Sequence, residues 1–196
     1  TPVIFDKDLY ATRRSGEDDI IKNSAVNFYK GDISKEEVEK FYDAQRDPND
    51  ATPISYGLNS KLVKENGKIY EDVYKSGGLY GEAIDQIIYW LEKANTVAEN
   101  DAQRNYTNLL INYYKTGDLN IWDEYNVAWV QDSVSMIDYV NGFIEDYGDP
   151  MGMKATWEAV VNFKDLEATK RSSIISQNAQ WFEDNKRDTK KDRKRI

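Results

Sequence analysis

The run from Ser135 to Asn185 constrains the fold of this chain more than any other stretch. Apolar residues lead into Asp149-Pro150, where the proline presets the backbone dihedral of a turn and Gly152 relieves it. A run of β-branched and aromatic residues over 156–163 returns on the far side of the turn. We therefore expect two strands joined as a hairpin with a long loop.

A helix is predicted to follow this hairpin, starting at Asp165. Apolar side chains recur there at roughly helical spacing, namely Leu166, Ile174, Ile175, Ala179 and Phe182. The whole stretch therefore has the order strand, turn, strand, helix.

Upstream, two local signals predict regular elements. Ser34 and Glu37 have the spacing of a capping box, which predicts a short helix from Lys35 to about Gln45. Asn66-Gly67 separates two alternating runs, and both residues tolerate positive φ, which predicts a β-hairpin over 57–75. Its alternation places Leu58, Ser60 and Leu62 on one face, so only one face of the first strand is expected to be buried.

Three longer helices are expected in the middle of the chain. The first covers 81–99 and the third covers 118–130. The second starts at the Asn100 cap and ends at Thr116-Gly117. Segment 17–29 fits either a helix or a helix running into a strand. The fold class predicted is α+β, predominantly helical with short antiparallel β-hairpins. The Tyr and Trp side chains lie beside aliphatic residues at helical spacing and are assigned to the core rather than to ligand stacking.

The missing residue types exclude several functions. The chain has no Cys and no His, so it has neither a disulfide framework nor the usual zinc ligands. A self-contained Ser-His-Asp, Cys-His or zinc hydrolase is therefore excluded. A carboxylate site for a hard cation or an acid-base pair of carboxylates stays open. The acidic turn over 43–50 lacks the ligand spacing of a calcium loop and is interpreted as a solvated loop.

The ends of the chain differ from its body. No apolar run approaches the roughly 20 residues that cross a bilayer, and the first residues lack the apolar core of a signal peptide, so no membrane partner is expected. The last twelve residues hold seven Lys or Arg against two Asp. Such a tail can contact phosphates, but the acidic body behind it favours a solvated terminus and makes nucleic-acid binding unlikely.

Taken in order, seven segments resemble the dipeptidyl peptidase III family, in particular its bacterial branch. They are NSAVNFY (23–29), GLNSKLVK (57–64), SGGLY (76–80), YWLEKA (89–94), YYKTGDL (113–119), VNGFIEDYGDPMGMK (140–154) and SQNAQWFE (176–183). The likeness covers about 17–185. No segment is a chemical signature alone, and it is their collinearity that makes the match specific.

The resemblance implies a zinc exopeptidase that removes dipeptides from the amino ends of oligopeptides. In that family a helical upper lobe carries zinc through His-Glu-x-x-Gly-His and Glu-Glu-x-Arg-Ala motifs, and a lower lobe, a small β-barrel with helices, binds the peptide as an added strand. This chain resembles much of the lower lobe. The division expected is an irregular arm over 1–16, a lower-lobe-like α+β domain over 17–163, a helix over 164–185 leading toward the upper lobe, and a basic tail over 186–196.

The resemblance also assigns candidate site residues. The family has a Glu and, two residues on, a Tyr in the strand before the turn, where they bind the peptide amino terminus and stabilise the tetrahedral intermediate. Here Asp138 stands at the acidic position and Val140 stands where the Tyr is expected. Either the Tyr is lost in this branch or a local shift lets Tyr139, one residue away, serve in its place. With Asn141, the expected substrate-binding residues are Asp138, Tyr139 and Asn141, although Asp138 and Tyr139 also fit simple hairpin positions. The family's Tyr-Arg-Asp-Pro turn has Gly148 in place of Arg.

Two functions are compatible with these observations. The first is a fragment of the peptide-binding lobe of a zinc dipeptidyl peptidase, which takes oligopeptides and the zinc lobe as partners and is not catalytic alone. Zinc belongs to the full-length family, no zinc is expected in this chain, and the family implies a cytoplasmic location. The second is a stand-alone helical binding or scaffold domain derived from that lobe.

Overall fold

The structure is a computed structural model that describes Thr12, residues 19–24 and residues 27–185. Its elements are the strands β1 (Tyr29–Lys30), β2 (Ser60–Glu65), β3 (Lys68–Val73), β4 (Ile137–Glu145) and β5 (Thr156–Phe163), and the helices α1 (Lys35–Asp43), α2 (Gly81–Asn95), α3 (Asp101–Thr116), α4 (Leu119–Gln131), α5 (Leu166–Gln177) and α6 (Ala179–Asn185). The α+β class with a helical majority is confirmed. The described strands form one three-stranded and one two-stranded sheet, neither of which closes into a barrel.

The three-stranded sheet has the order β1-β2-β3. Strands β2 and β3 pair antiparallel around Asn66 and Gly67, whose φ angles of 52° and 77° are those that the hairpin signal requires. Strand β1 pairs with β2 in parallel, which brings Tyr29 opposite Leu62. Segment 17–29, left open between two interpretations, therefore ends in a strand, and residues 20–23 of it form a turn.

The prediction of a single buried face on β2 is wrong. Asn59 is 3% exposed, Ser60 1%, Leu62 0% and Val63 2%, so successive side chains are enclosed on both faces. This follows from the central place of β2 in the sheet, between β1 and β3. The Asn66-Gly67 signal predicted the pairing of β2 with β3 but not the pairing with β1.

The second sheet is the hairpin predicted around Asp149-Pro150. Its two strands pair, the Thr156 hydroxyl donates to the Glu145 carbonyl at 3.3 Å near the turn, and the Lys164 amide donates to the Met136 carbonyl at 2.8 Å at the open end. The two strands therefore run antiparallel, as expected. The Asp149 amide closes the turn by donating to the Asp146 carbonyl at 2.9 Å.

The helices begin where the capping signals place them. The Ser34 hydroxyl accepts the Glu37 amide while the Glu37 carboxylate accepts the Ser34 amide, which completes the capping box of α1. The Asn100 side chain accepts the Gln103 amide at the start of α3, and Gly117 ends α3 with φ 74°. Helix α2 is shorter than predicted and ends at Asn95.

The single helix predicted from Asp165 is two helices. Asp165 does cap α5, but Asn178 leaves the helical region with φ −101° and ψ 12°. Its side-chain amide donates to the Ile174 carbonyl at 2.7 Å. Asparagine competes in this way with the backbone for hydrogen bonds, which explains the interruption that the apolar spacing alone did not indicate.

The chain divides into two compact units. Of the described residues, the first contains those up to 135 and 139–160, and the second contains 136–138 and 161–185. The boundaries differ from the expected division at 163–164 because both hairpin strands contribute to both units. Most of the arm at 1–16 and all of the basic tail at 186–196 lie outside the described residues.

The first unit has two apolar clusters. The larger one packs α2, α3, α4 and β4 around fully buried tyrosines, among them Tyr106, Tyr114 and Tyr125. The smaller one packs α1 and β2 around Val38, Tyr42 and Leu62. The assignment of these tyrosines to the core is therefore confirmed, whereas every residue of α5 and α6 is at least partly exposed.

Candidate functional site

Two of the three predicted site residues lie on one face of β4. Tyr139 and Asn141 are two residues apart on the strand, so their side chains point to the same side. The Tyr139 hydroxyl makes a short hydrogen bond with the Thr107 hydroxyl, and the Asn141 side-chain oxygen accepts a 2.7 Å hydrogen bond from Tyr114. Both partners are on α3, so this face of β4 is packed against one helix.

The contact between β4 and α3 extends to β5. The Trp157 indole N–H donates to the Tyr114 hydroxyl at 2.8 Å, while the same hydroxyl donates to Asn141. Burial raises the pKa of Tyr114 well above its usual value, with the indole hydrogen bond acting in the opposite direction. The phenol is therefore a neutral donor at physiological pH, and it links the two strands of the hairpin.

Tyr139 is a neutral phenol as well. Burial raises the pKa of Tyr139, although the hydrogen bond with Thr107 lowers it in part. Its ring packs edge-on against Tyr106 with the ring centroids 5.5 Å apart. A protonated phenol of this kind can donate a hydrogen bond to an oxyanion, but its hydroxyl already bonds to Thr107 in this structure.

Asp138 is separated from these two residues. Along a strand successive side chains alternate, so Asp138 projects from the opposite face of β4 to Tyr139. Asp138 is half-buried and belongs to the second compact unit, whereas Tyr139 and Asn141 belong to the first. The strand thus brings Tyr139 and Asn141 together and does not bring Asp138 to the same face.

A second polar cluster, which the sequence did not predict, surrounds Lys154. The Lys154 side chain is fully buried, and its ammonium donates to the Tyr42 hydroxyl at 2.6 Å and to the Ser60 hydroxyl at 3.1 Å. Backbone oxygens of Gly57 and Ser60 lie at 3.3 and 3.2 Å. The Tyr42 and Ser60 hydroxyls each donate to one oxygen of Glu71, at 2.8 and 2.6 Å.

Asp149 anchors the adjoining turn. Its buried carboxylate accepts the Tyr29 hydroxyl at 2.9 Å and the amides of Met153 and Lys154 at 2.9 and 3.0 Å. Burial, followed by the negative charge of Asp149, raises the pKa of Tyr29 far above its usual value. The turn predicted from Asp149-Pro150 is therefore held to β1 by a charged hydrogen bond.

One part of this cluster was accessible from the sequence. A two-residue turn at Asn66-Gly67 places Glu71 opposite Leu62, and paired residues share a face of the sheet. The hairpin register therefore places Glu71 on the face of the sheet that carries Leu62 and Ser60. Nothing in the local sequence of Lys154 indicates that its ammonium is enclosed by residues about a hundred positions away.

The donor set of this chain does not fit a zinc ion. The sequence has neither His nor Cys, and the described residues contain no group of three or more His, Cys, Asp or Glu that suits a metal ion. Zinc sites in proteins are built mainly from imidazole and thiolate ligands. No step that depends on zinc is therefore assigned to these residues.

Comparison with known proteins adds information on kinship. A family model described as peptidase family M49 matches residues 10–184. The chain is similar to dipeptidyl peptidase 3 of Dictyostelium discoideum, with 24% identity over 180 residues that cover 82% of this chain and 25% of that protein. It is similar to dipeptidyl peptidase 3 of Homo sapiens with 31% identity over 88 residues, which cover 43% of this chain and 12% of that protein.

Solved structures share the fold. The structure of DPP III from Caldithrix abyssi matches with a TM-score of 0.62 and 24% identity, covering 82% of this chain and 29% of that one. Dipeptidyl-peptidase III from Corallococcus sp. strain EGB matches with a TM-score of 0.57 and 20% identity over the same shares. The chain thus spans a quarter or less of these curated relatives. Within the described residues, no helix is both long and apolar enough to cross a membrane.

Proposed function

Because this chain belongs to peptidase family M49, we propose that it forms part of the peptide-binding lobe of a zinc-dependent dipeptidyl peptidase. In this proposal the chain contributes substrate-contacting surface, and the zinc ligands come from protein outside it. The observation that carries the proposal is the match over residues 10–184 together with a length of only a quarter of the Dictyostelium discoideum relative.

The chemistry of β4 supports a role in holding the peptide amino terminus. A carboxylate suits the ammonium group of a peptide, and Asp138 supplies one at the strand position that the family resemblance assigns. Tyr139 and Asn141 lie on the opposite face of β4, so in this proposal they do not share the ammonium contact of Asp138, and their phenol and amide are the neutral polar groups of that other face. Their present bonds to Thr107 and Tyr114 fix the strand that presents them.

The surface of α5 and α6 supports the proposed partner, which is the remainder of the peptidase. Large apolar side chains are exposed there, from 51% for Phe182 to 62% for Ile175, and Trp181 is 59% exposed. Large apolar side chains exposed in this number on two successive helices are typical of a contact with further protein. The relatives supply such protein in the three quarters of their length that this chain does not span.

Peptide titration of the purified chain tests the proposal. We expect a pentapeptide with a free amino terminus to bind with a dissociation constant weaker than about 1 μM, because part of the cleft lies outside the chain. Acetylation of the peptide amino terminus and the substitution Asp138→Asn should each weaken binding about tenfold or more, since each removes one charge of the ion pair. Asp146→Asn, which removes an exposed carboxylate in the hairpin loop, is the matched control.

Equal binding of the free and the acetylated peptide would contradict this assignment, and so would submicromolar affinity or dipeptide release by the chain alone with added zinc. The alternative function, a stand-alone scaffold domain, is distinguished by the native protein. A native mass above 22.7 kDa with one bound zinc supports the peptidase, whereas a 22.7 kDa zinc-free protein supports the scaffold.

A further inference from the structure

Lys154 is the only fully buried charged side chain besides Asp149 among the described residues, and side chains of α1 and β2 contact it. Its ammonium contacts the Tyr42 hydroxyl of α1 and the Ser60 hydroxyl of β2, at 2.6 and 3.1 Å. It also lies 5.1 Å from the centroid of the Tyr42 ring, over which a cation is favoured. A protonated lysine has three donors, and the cluster offers acceptors for all of them.

The charge of Lys154 is balanced through hydroxyl groups. The Tyr42 and Ser60 hydroxyls accept hydrogen bonds from the ammonium and donate hydrogen bonds to Glu71 Oε1, at 2.8 and 2.6 Å. Two hydroxyls thus stand between the ammonium and the carboxylate. Hydrogen bonds in such a network polarise one another. The network also holds a specific geometry, because displacement of one group leaves its neighbours without a hydrogen-bond partner.

Lys154 lies at the end of the β4–β5 loop, just before β5. Directly after Lys154, the Ala155 amide donates to the Leu58 carbonyl at 2.9 Å, and the Lys154 amide donates to Asp149. Backbone and side chain together therefore fasten the end of the loop onto the segment that leads into β2.

We propose that Lys154 is a positioning residue: a buried pin that fastens the loop between β4 and β5 onto α1 and β2, and so holds the strand that carries Tyr139 and Asn141. The pin itself does not depend on any peptidase role. Its consequence for peptide binding rests on the proposed function.

The protonation of Lys154 depends on whether the loop is closed, because its side chain is buried only in the closed loop. Four titratable groups face it: Tyr29 from β1, Tyr42 from α1, Glu71 from β3 and Asp149 from its own loop. Burial lowers the pKa of Lys154 to about 8, in part offset by the charges of Glu71 and Asp149. An opened loop exposes the lysine and returns its pKa to about 10.5.

The sign follows from proton linkage. Opening takes up protons between these two pKa values, so rising pH favours the closed loop, in which the neutral amine keeps two donors for the same oxygens without the cost of a buried charge. Between about pH 7 and about pH 9 the equilibrium constant for opening should fall about tenfold. A purely structural contact at this position would show no such pH profile.

Hydrogen exchange at the Ala155 amide measures the opening. In the unmodified chain its protection factor should rise about tenfold over that pH range, while amides in the middle of α3 change much less. Lys154→Met should lower the protection at Ala155 and remove its pH dependence. Lys68→Met, at an exposed lysine that begins β3, is the control and should behave as the unmodified chain.

Side-chain NMR titration keeps the inference testable if Lys154→Met does not fold. The Lys154 ammonium should titrate near pH 8, and titration with an ordinary lysine pKa would overturn the pin. Equal changes at Ala155 and in α3 would overturn it too, because they indicate global unfolding. Unchanged peptide affinity in a folded Lys154→Met chain would refute the positioning consequence, whereas no binding by the unmodified chain refutes the proposed function and leaves the exchange result standing.

Discussion

The Tyr114 hydroxyl donates a 2.7 Å hydrogen bond to the side-chain oxygen of Asn141 in the buried contact between α3 and β4. Tyr114 is 0% exposed and Asn141 9%. Because the same hydroxyl accepts the Trp157 indole N–H, one phenol connects the middle of the chain to both strands of the hairpin. The amide of a candidate substrate-binding residue is therefore also part of the packing that places it.

Substitution of Tyr114 by Phe should destabilise the chain by about 1–3 kcal/mol, because it leaves the buried Asn141 oxygen without this partner and removes the acceptor of the Trp157 N–H. Tyr89→Phe removes a hydroxyl from a ring that is 47% exposed and is the control, with an expected change within about 0.5 kcal/mol. Urea unfolding measures both. Similar free energies of unfolding for the two variants would show that the Tyr114 hydroxyl is not the connection described here.

Gly142 in β4 should not tolerate a side chain. A Cβ there would lie against the Trp122 ring, closer than carbon atoms pack. Gly142→Ala should therefore cost about 1–3 kcal/mol, the usual range for overpacking a filled core. At Gly148, in the loop after the same strand, a Cβ would meet the Phe28 ring at 3.9 Å, which is ordinary van der Waals contact, so Gly148→Ala should be nearly neutral. Thermal or urea unfolding of the pair checks this, and a costly Gly148→Ala with a harmless Gly142→Ala would contradict it.

Local chemistry explains which parts of the fold the sequence predicted. The cap at Ser34 and the turn at Asn66-Gly67 act within a few residues, and each appears where its motif places it. Burial depends instead on contacts across the chain. The second enclosed face of β2 and the enclosure of Lys154 by Tyr42 and Ser60 arise from residues far apart in sequence, so no local pattern indicated them.

The site residues show the same limit. The hairpin around Asp149-Pro150 was predictable, and with it the place of Tyr139 and Asn141 on one face. The residues that occupy their polar groups, Thr107 and Tyr114, are on a helix whose orientation toward β4 is set by tertiary packing. The roles of Asp138, Tyr139 and Asn141 toward a peptide stay a prediction.

Helix α5 should accept polar substitutions without loss of stability in the isolated chain. Ile174 is 61% exposed, so Ile174→Ser should change the free energy of unfolding by no more than about 0.5 kcal/mol. Ile111→Ser, at a residue of α3 that is 7% exposed in the core, should cost about 3 kcal/mol or more, since it loses apolar burial and encloses a hydroxyl. Equal losses would show that Ile174 is already covered, which would remove the support that α5 lends to the proposed partner.

The stability of the chain should first rise and then fall with increasing pH above about 8. The folded pKa of Lys154 lies below its unfolded value, so a penalty that is fully present below pH 8 is relieved as pH approaches about 10.5, by about 3 kcal/mol in total. Buried tyrosines act in the opposite direction. These tyrosines are Tyr29, Tyr42, Tyr74, Tyr113 and Tyr114, and burial raises the pKa of each. Their contribution to stability is therefore present below the unfolded pKa of about 10 and is lost above it. The slope of this loss is about 1.4 kcal/mol per pH unit for each group.

Urea unfolding at a series of pH values, read by circular dichroism together with tyrosinate absorbance, separates the two contributions. Lys154→Met should lack the rise that Lys154 causes above pH 8 and keep the alkaline fall, because the buried tyrosines remain in that variant. The tyrosinate signal of the buried rings should appear together with the loss of helix signal, since these phenols ionise only when the chain unfolds. A steady decline from pH 8 in the unmodified chain, or tyrosinate formation well before the helices melt, would mean that Lys154 and the tyrosines are not enclosed as the structure has them.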